Sequence, residues 1–230
     1  MSPALACAEC PVRDRAACSV LEPGERDALA KVGRMRELGR GETLFAAGEP
    51  VSSCATLVTG ALKVATLDSE GREQILALIH PAGFIGEFFR PFAEHDVIAL
   101  SDSRLCVFAG QAMEEAIDAH PALARALLRR TQEELHASRM LQALTGKTSG
   151  RGKVAALLLG FAQAASDSPC HPARLFELPL SRGEMANMLG LTIETVSRQI
   201  TRLEREGAIA RRGKRGIELA DPALLSQAAA

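Results

Sequence analysis

The segment CAECPVRDRAAC places Cys7, Cys10 and Cys18 at the spacing C-x2-C-x7-C within the first eighteen residues. Thiolates ligate soft metals and carry out redox exchange, and in a reducing compartment clustered cysteines do one or the other more often than they staple a fold. Three is an awkward number. A disulfide uses two, and a closed metal site commonly uses four. Either a fourth ligand lies elsewhere in the chain, or the cluster has a simpler role. Three further cysteines are available. Cys54 sits in a β-type run and reads as a small core or edge residue. Cys106 lies in SDSRLCVF. Cys170 stands beside His171 in the loop ASDSPCHPA, a pair too small to specify a metal site by itself.

A second constellation spans SRGEMANMLGLTIETVSRQITRLEREG. Ser181 followed by Glu184 is a capping box, Met185, Ala186 and Leu189 form an inward face, and Gly190 supplies an unhindered turn. Thr192 then caps a second helix that buries Val196, Ile200 and Leu203. Its outward face carries Glu194, Ser197 and Arg198 at i, i+3 and i+4. Arginine can pair with guanine O6 and N7, glutamate can accept from cytosine N4, and serine adapts to either. Thr195, Gln199 and Arg202 flank that face and suit phosphate contacts, with Thr192 at its N-terminal edge. The stretch AIARRGKRGIEL follows as a basic hairpin, or wing. The expected partner is double-stranded DNA, read by a helix-turn-helix.

These residues need elements to position them. The 230 residues, 47% hydrophobic and 24% charged, suffice for two modest globular domains, and the net charge of −1 confines any nucleic-acid surface to one region. No apolar run is long enough for a membrane span and no signal peptide is recognisable, so a cytoplasmic protein with reduced thiols is expected. Residues 1–21 read as a cysteine-rich leader. Residues 22–33 read as a short helix. The rest of 22–110 reads as short β-type runs punctuated by glycine, including a hairpin turn at DSEG (68–71), which suggests an antiparallel roll or sandwich. Residues 111–146 read as helix, with Pro121 at a first-turn position. Leu127, Thr131, Glu134, Ser138 and Leu141 fall at 4-3-4-3 spacing, with Leu135 beside them, a seam for a homodimer or a core-facing stripe. TGKTSGRGK (145–153) is the expected boundary, and residues 147–230 form the DNA-binding domain, with a buried helix at VAALLLGFAQAA.

A β-roll, a long helix and a winged helix-turn-helix in that order resemble the CRP/FNR superfamily of bacterial transcription regulators, an α+β architecture. The cyclic-nucleotide branch keeps Gly-Glu for the ribose and Arg-Ser for the phosphate about ten residues later. Here Gly86-Glu87 is present, but HDVIAL (95–100) has no arginine and places an aspartate there, so a cyclic phosphate would meet a carboxylate. The FNR branch holds a 4Fe–4S cluster on three N-terminal cysteines and one from the β-roll. The resemblance implies Cys7, Cys10, Cys18 and Cys106 as iron ligands. It further implies oxygen sensing, a homodimer, a TTGAT-type palindrome read by Glu194, Ser197 and Arg198, and contact with RNA polymerase.

Other signals stay open at this point: a cyclic nucleotide, nitric oxide, or cysteines that bind zinc or act as redox thiols. An iron–sulfur electron carrier would need neither reading face nor wing. No catalytic triad or substrate-binding motif is visible, so no enzymatic activity is expected.

Overall fold

A computed structural model describes residue 5 and residues 7–86, 90–146, 149–166 and 171–229. The chain divides into two compact units, residues 1–138 and 139–230.

In the first unit the leader forms two short 3-10 turns, Cys7–Glu9 and Ala17–Val20. Helix α1 (Pro23–Val32) follows, with proline in its first turn and a Glu22/Glu25 capping box. Eight strands come next: β1 (Gly33–Leu38), β2 (Thr43–Phe45), β3 (Ser53–Thr59), β4 (Leu62–Leu67), β5 (Glu73–Ile79), β6 (Phe84–Ile85), β7 (Asp96–Ala99) and β8 (Ser103–Ala109). They build two antiparallel four-stranded sheets, ordered β1-β8-β3-β6 and β2-β7-β4-β5. The expected DSEG turn closes β4 onto β5. Asp68 accepts the N–H groups of Glu70 and Arg72, and Gly71 takes the left-handed conformation at φ +74°.

Strand side chains alternate between faces, and this sorts the site residues. Leu105 and Val107 of β8 join Leu57, Leu62, Val97 and Ala99 in the core of the roll. Cys106 and Phe108 point to the opposite face, which the leader, α1 and the following helices cover. Ala17, Leu21, Leu29, Met113, Leu123 and Leu127 pack there against Phe108 and Cys54. The leader is therefore held by apolar burial on the outer face of one sheet.

The helical stretch that begins near residue 111 is two helices, α2 (Gly110–Ala119) and α3 (Pro121–Thr145), which meet where proline withholds a backbone donor. The division between the two units falls inside α3. The polar break after it is shorter than the sequence suggested, because Ser149 caps α4 (Gly150–Ala164) by accepting from the Gly152 amide. Helix α4 is buried along Val154, Ala155, Leu158 and Phe161, as its composition implies. The second unit continues with β9 (Leu175–Glu177), α5 (Arg182–Leu189), α6 (Ile193–Arg205), β10 (Ile209–Arg212), β11 (Gly216–Leu219) and α7 (Pro222–Ala229). Its sheet runs β10-β11-β9. Helix α7, which the sequence reading did not anticipate, packs on α4. Among the described residues no helix is long and apolar enough to cross a membrane.

The Ser181 hydroxyl accepts the Glu184 amide at 3.2 Å and the Glu184 carboxylate accepts the Ser181 amide at 2.6 Å. Ser181→Ala should therefore lower unfolding stability of the full chain by about 1 kcal/mol, read by chemical denaturation. No loss would mean that water caps α5 equally well.

Candidate thiol site and nucleic-acid interface

The first site grows from the packing of the leader. Val12 and Ala16 bury themselves against Val58 and Ala82, and Cys10, Cys18 and Cys106 border the same cluster. Cys7 completes the ring: all four thiols line one almost wholly apolar cavity of about 40 Å³, together with Arg26 and Phe84. Arg26 on α1 ties the leader down by donating to the carbonyl oxygens of Cys18 (3.3 Å), Ser19 (3.3 Å) and Leu21 (2.8 Å). The structure thus brings together the four cysteines named from sequence, with Cys106 lying 88 positions beyond Cys18. Cys54 is fully buried on β3, where burial raises its thiol to about 12 as befits a core residue, and it does not line that cavity. Cys170 lies outside the described residues.

The electrostatics of the cavity limit what it can hold. Burial raises the pKa of Cys7, Cys18 and Cys106, the last to about 12, and the neighbouring thiols push the same way. Arg26 opposes this at Cys7 and Cys18, less strongly. Four thiolates cannot share this space without a positive core among them, and a metal centre is such a core. Among the described residues no group of three or more His, Cys, Asp or Glu is placed to hold a single metal ion. The four thiols line one cavity, and an all-sulfur donor set fits iron–sulfur ligation and zinc alike.

A larger cavity, about 620 Å³, lies between the β-roll and α3. Its wall is largely apolar, with Arg90, His95, Thr131 and Glu134 as the polar exceptions. Asp96, read from sequence as a carboxylate that would face a cyclic phosphate, accepts the Ala47 amide at 2.9 Å. The Arg90 guanidinium is paired with Glu94. Glu87 lies outside the described residues.

The proposed seam needs correction. Leu127 is buried in the apolar cluster beneath the leader, and Leu141 is buried as well. Glu134 presents much of its surface to solvent, but its carboxyl tip turns inward and accepts the Phe84 amide at 3.1 Å. Burial pushes that carboxyl up to about 7. The outward large apolar side chains on this stretch are Leu128, Leu135 and Met140, 61%, 48% and 53% exposed, with Thr131 and Ser138 at the spacings between and beyond the two leucines. Helical geometry moves the stripe one residue along: Leu128, Thr131, Leu135 and Ser138 share a face, and Leu127 belongs to the core-facing one.

In the second unit Gly190 ends α5 in the left-handed conformation, φ +61°, as the turn requires. Lys153 donates to the Leu189 carbonyl at 3.0 Å and closes the end of α5 from α4. Thr192 accepts the Thr195 amide at 3.2 Å and caps α6. Val196, Ile200 and Leu203 are buried, which leaves Glu194 and Arg198 exposed and Ser197 and Thr195 half-buried on the outer side. Hydrogen bonds from its own backbone amide and from Thr192 hold the Glu194 carboxylate below its usual range. Arg198 reaches to 3.4 Å from the Thr195 hydroxyl.

Two flanking residues behave differently from expectation. Arg202, assigned to phosphate contact, pairs with Glu206 at 2.8 Å, and the same carboxylate holds Arg151. Gln199 is half-buried and its side-chain oxygen has no hydrogen-bond partner, which leaves the amide nitrogen as the group that could meet a phosphate.

The wing is β10 and β11 with Lys214 and Arg215 exposed between them. Arg211 and Arg212 are tied to Glu204 and Glu218. Sequence reasoning missed Arg182, which shares a surface depression with Arg211, Lys214 and Arg215. Burial and the nearby Arg211 lower its pKa. The signal was available: an arginine directly after an N-cap opposes the helix dipole, and an anion at the site removes that conflict.

A two-unit chain with an antiparallel β-roll and a winged helix-turn-helix has the architecture of a DNA-binding regulator. Comparison with known proteins agrees. The family description "Crp-like helix-turn-helix domain" matches residues 152–228, and "Cyclic nucleotide-binding domain" matches residues 35–120. The chain is 35% identical over 226 residues to transcriptional activator protein FnrL of Cereibacter sphaeroides, covering 97% of this chain and 91% of that one. It is 34% identical over 230 residues to nitrogen fixation regulation protein FixK of Bradyrhizobium diazoefficiens, covering 97% and 94%. The solved structure of FixK2 from Bradyrhizobium japonicum superposes with a TM-score of 0.77 at 28% identity, covering 86% of this chain and 98% of that one. The chain belongs to the CRP/FNR family of transcription regulators and is a DNA-binding regulator of that type.

Arg198→Ala should cost about 1–3 kcal/mol in operator affinity and relax discrimination at one base pair, whereas Lys214→Ala should weaken binding to all sequences alike and reduce the salt slope by about 1. Fluorescence anisotropy at several salt concentrations separates the two. Equal behaviour of the two variants would show that α6 is not the reading element.

Proposed function

We propose that this regulator senses oxygen through a 4Fe–4S cluster held by Cys7, Cys10, Cys18 and Cys106 and, as a homodimer in the cytoplasm, binds a TTGAT-type palindrome to control genes of low-oxygen growth. The observation that carries this reading is the convergence of four thiols on one apolar cavity, three from a leader held by burial and one from β8.

A cluster bound there would supply an oxygen-reactive centre with sulfur ligation. The chain's own residues provide the rest. Arg26 holds the Cys18 end of the leader, Val12 and Ala16 exclude water, and Cys106 anchors the site to a strand of the roll. Three of the four ligands sit on a segment without regular sheet or long-helix structure, so losing ligation frees the leader while the roll keeps its own core. On the DNA side, two copies of α6 must enter successive major grooves about one helical turn apart, so a modest change in dimer population changes operator affinity steeply. Leu128, Thr131, Leu135 and Ser138 form the outward face suited to that dimer, and its polar members keep the association weak enough to gate. Arg198 on guanine, Glu194 on cytosine and Ser197 beside them match a TTGAT half-site, and the bound dimer would then contact RNA polymerase.

The 620 Å³ cavity favours a second reading, in which a small molecule such as a cyclic nucleotide is the signal and the cysteines bind zinc or act as redox thiols. Calorimetry with cAMP would register heat under that reading and none under the first.

Protein purified without air should be brown, absorb near about 400 nm and bleach on exposure to air. Cys106→Ser should abolish the colour while leaving the fold intact by circular dichroism. A colourless protein, or one carrying a single zinc after anaerobic reconstitution, would overturn the cluster. Separately, Leu135→Glu should shift the anaerobic protein to monomer in sedimentation and cut operator affinity at least about ten-fold, and an unchanged dimer would exclude this face of α3 as the seam.

A further inference from the structure

The turn between β5 and β6 touches both the thiol site and α3, which also meets that site directly through Leu123 and Leu127. Ala82 packs in the cluster that Cys10, Cys18 and Cys106 border. It does so at φ +76°, a left-handed conformation unusual for a residue with a side chain, and the described non-glycine residues include no other. Such a conformation persists only where its surroundings over-determine it. Those surroundings are visible: the Ala82 amide donates to the Leu57 carbonyl at 2.8 Å, the Leu57 amide donates to the Gly83 carbonyl at 3.0 Å, and the Gly83 amide donates to the His80 carbonyl at 2.9 Å. A Cβ at Gly83 would come within 2.7 Å of Ile79 and 2.9 Å of the His80 carbonyl, so the turn has no slack on that side.

The next residue carries the connection outward. The Phe84 ring lines both the thiol cavity and the large cavity beside α3. Its backbone amide donates to the Glu134 carboxylate, fifty residues away on α3. Glu134 thus meets the turn on one side, and its neighbour Leu135 and the residue Thr131 one turn back lie on the outward face. Leader, turn and helix are joined through Phe84 by packing and a hydrogen bond, beside the direct packing of Leu123 and Leu127 on the leader.

The geometry points to Glu134 as a positioning residue through which the 82–84 turn reports the state of the thiol site to the outward face of α3. This inference rests on the sensor reading above. When the leader is packed, Ala82 is confined and the Phe84 amide is presented to Glu134. When the leader loosens, the confinement of Ala82 relaxes, the amide withdraws, and the register of α3 on the roll is no longer fixed from that side. A bond that merely docks α3 would support both states of the thiol site equally, whereas a reporting bond supports one more than the other.

The test uses the full chain with Glu134→Ala, which removes the acceptor, and Glu134→Gln, which keeps an acceptor oxygen without the charge. Operator affinity is measured without air and after air, beside iron content and visible absorption. The expected result is that Glu134→Ala keeps wild-type iron and colour but reduces the ratio of the two affinities at least about five-fold, and that Glu134→Gln restores most of it. A wild-type ratio in Glu134→Ala would overturn the proposal, as would a Glu134→Gln protein indistinguishable from Glu134→Ala.

A second measurement needs no cofactor, so failure of the sensor reading and failure of this one are distinguishable. In the iron-free chain, Ala82→Gly should speed amide exchange at Phe84 and over residues 131–135, and in a Glu134→Ala background it should have no further effect on 131–135. Exchange in α3 that ignores Ala82→Gly in the otherwise unaltered chain would overturn the coupling whatever the thiols bind.

Discussion

Four thiols on the buried outer face of one sheet set the terms for the first unit. A lone buried cysteine such as Cys54 is inert and costs nothing. Four that line one cavity are neutral only as thiols, because burial and mutual repulsion both oppose ionisation at Cys7, Cys18 and Cys106. A cationic centre reverses that balance, since ligation replaces protons with metal and ties the leader to β8. The same apolar packing that raises the thiols also seats Val12, Ala16 and Leu21 on the sheet. Under the proposed cluster, leader docking and metal binding would be one equilibrium viewed from two sides.

The sheet makes this possible through alternation alone. Leu105 and Val107 serve the core of the roll and Cys106, between them, serves the other face, so a ligand can sit on a structural strand without disturbing the core. Ligands on the leader can leave without unfolding the roll, because the roll's inner core contains no leader residue. A sensor needs a part that lets go beside a part that stays.

Legibility followed the range of the interactions. Local signals transferred directly: the capping box at Ser181, the turn at Asp68, the left-handed Gly190 and the Thr192 cap are each decided within four residues of chain. The buried faces of α5 and α6 were legible for the same reason, because period and burial coincide there. On α3 they do not. Leu123 and Leu127 make one apolar stripe and Leu128 and Leu135 another, about 100° around the helix, and nothing in the sequence says which one meets the roll. The inward Glu134 compounded the ambiguity, since a carboxylate reads as solvent-facing until its tip is seen on a backbone amide. Arg202 is exposed and pairs with Glu206 at i+4, a partner visible in the sequence that shares its guanidinium with any phosphate it would meet. Helix α7 was missed because ALLSQAA offers too few residues for a period to show.

The two units place opposite demands on their charged groups. Around the thiols two cations, Arg13 and Arg26, are spent on backbone carbonyls of the leader, which fixes geometry and leaves the cavity itself largely apolar. In the winged domain several arginines are held by carboxylates, Arg202 by Glu206, Arg211 by Glu204 and Arg212 by Glu218, and exposed pairs of this kind contribute little to stability. Their effect is on shape and on charge. They fix the guanidinium groups around α6 and the wing and lower the net positive field there, so that Lys214, Arg215 and the helix-start Arg182 dominate what a phosphate meets. Partial neutralisation weakens non-specific attraction, so under the proposed homodimer affinity would depend on seating both reading helices at once, and a small change along α3 would then suffice to switch it.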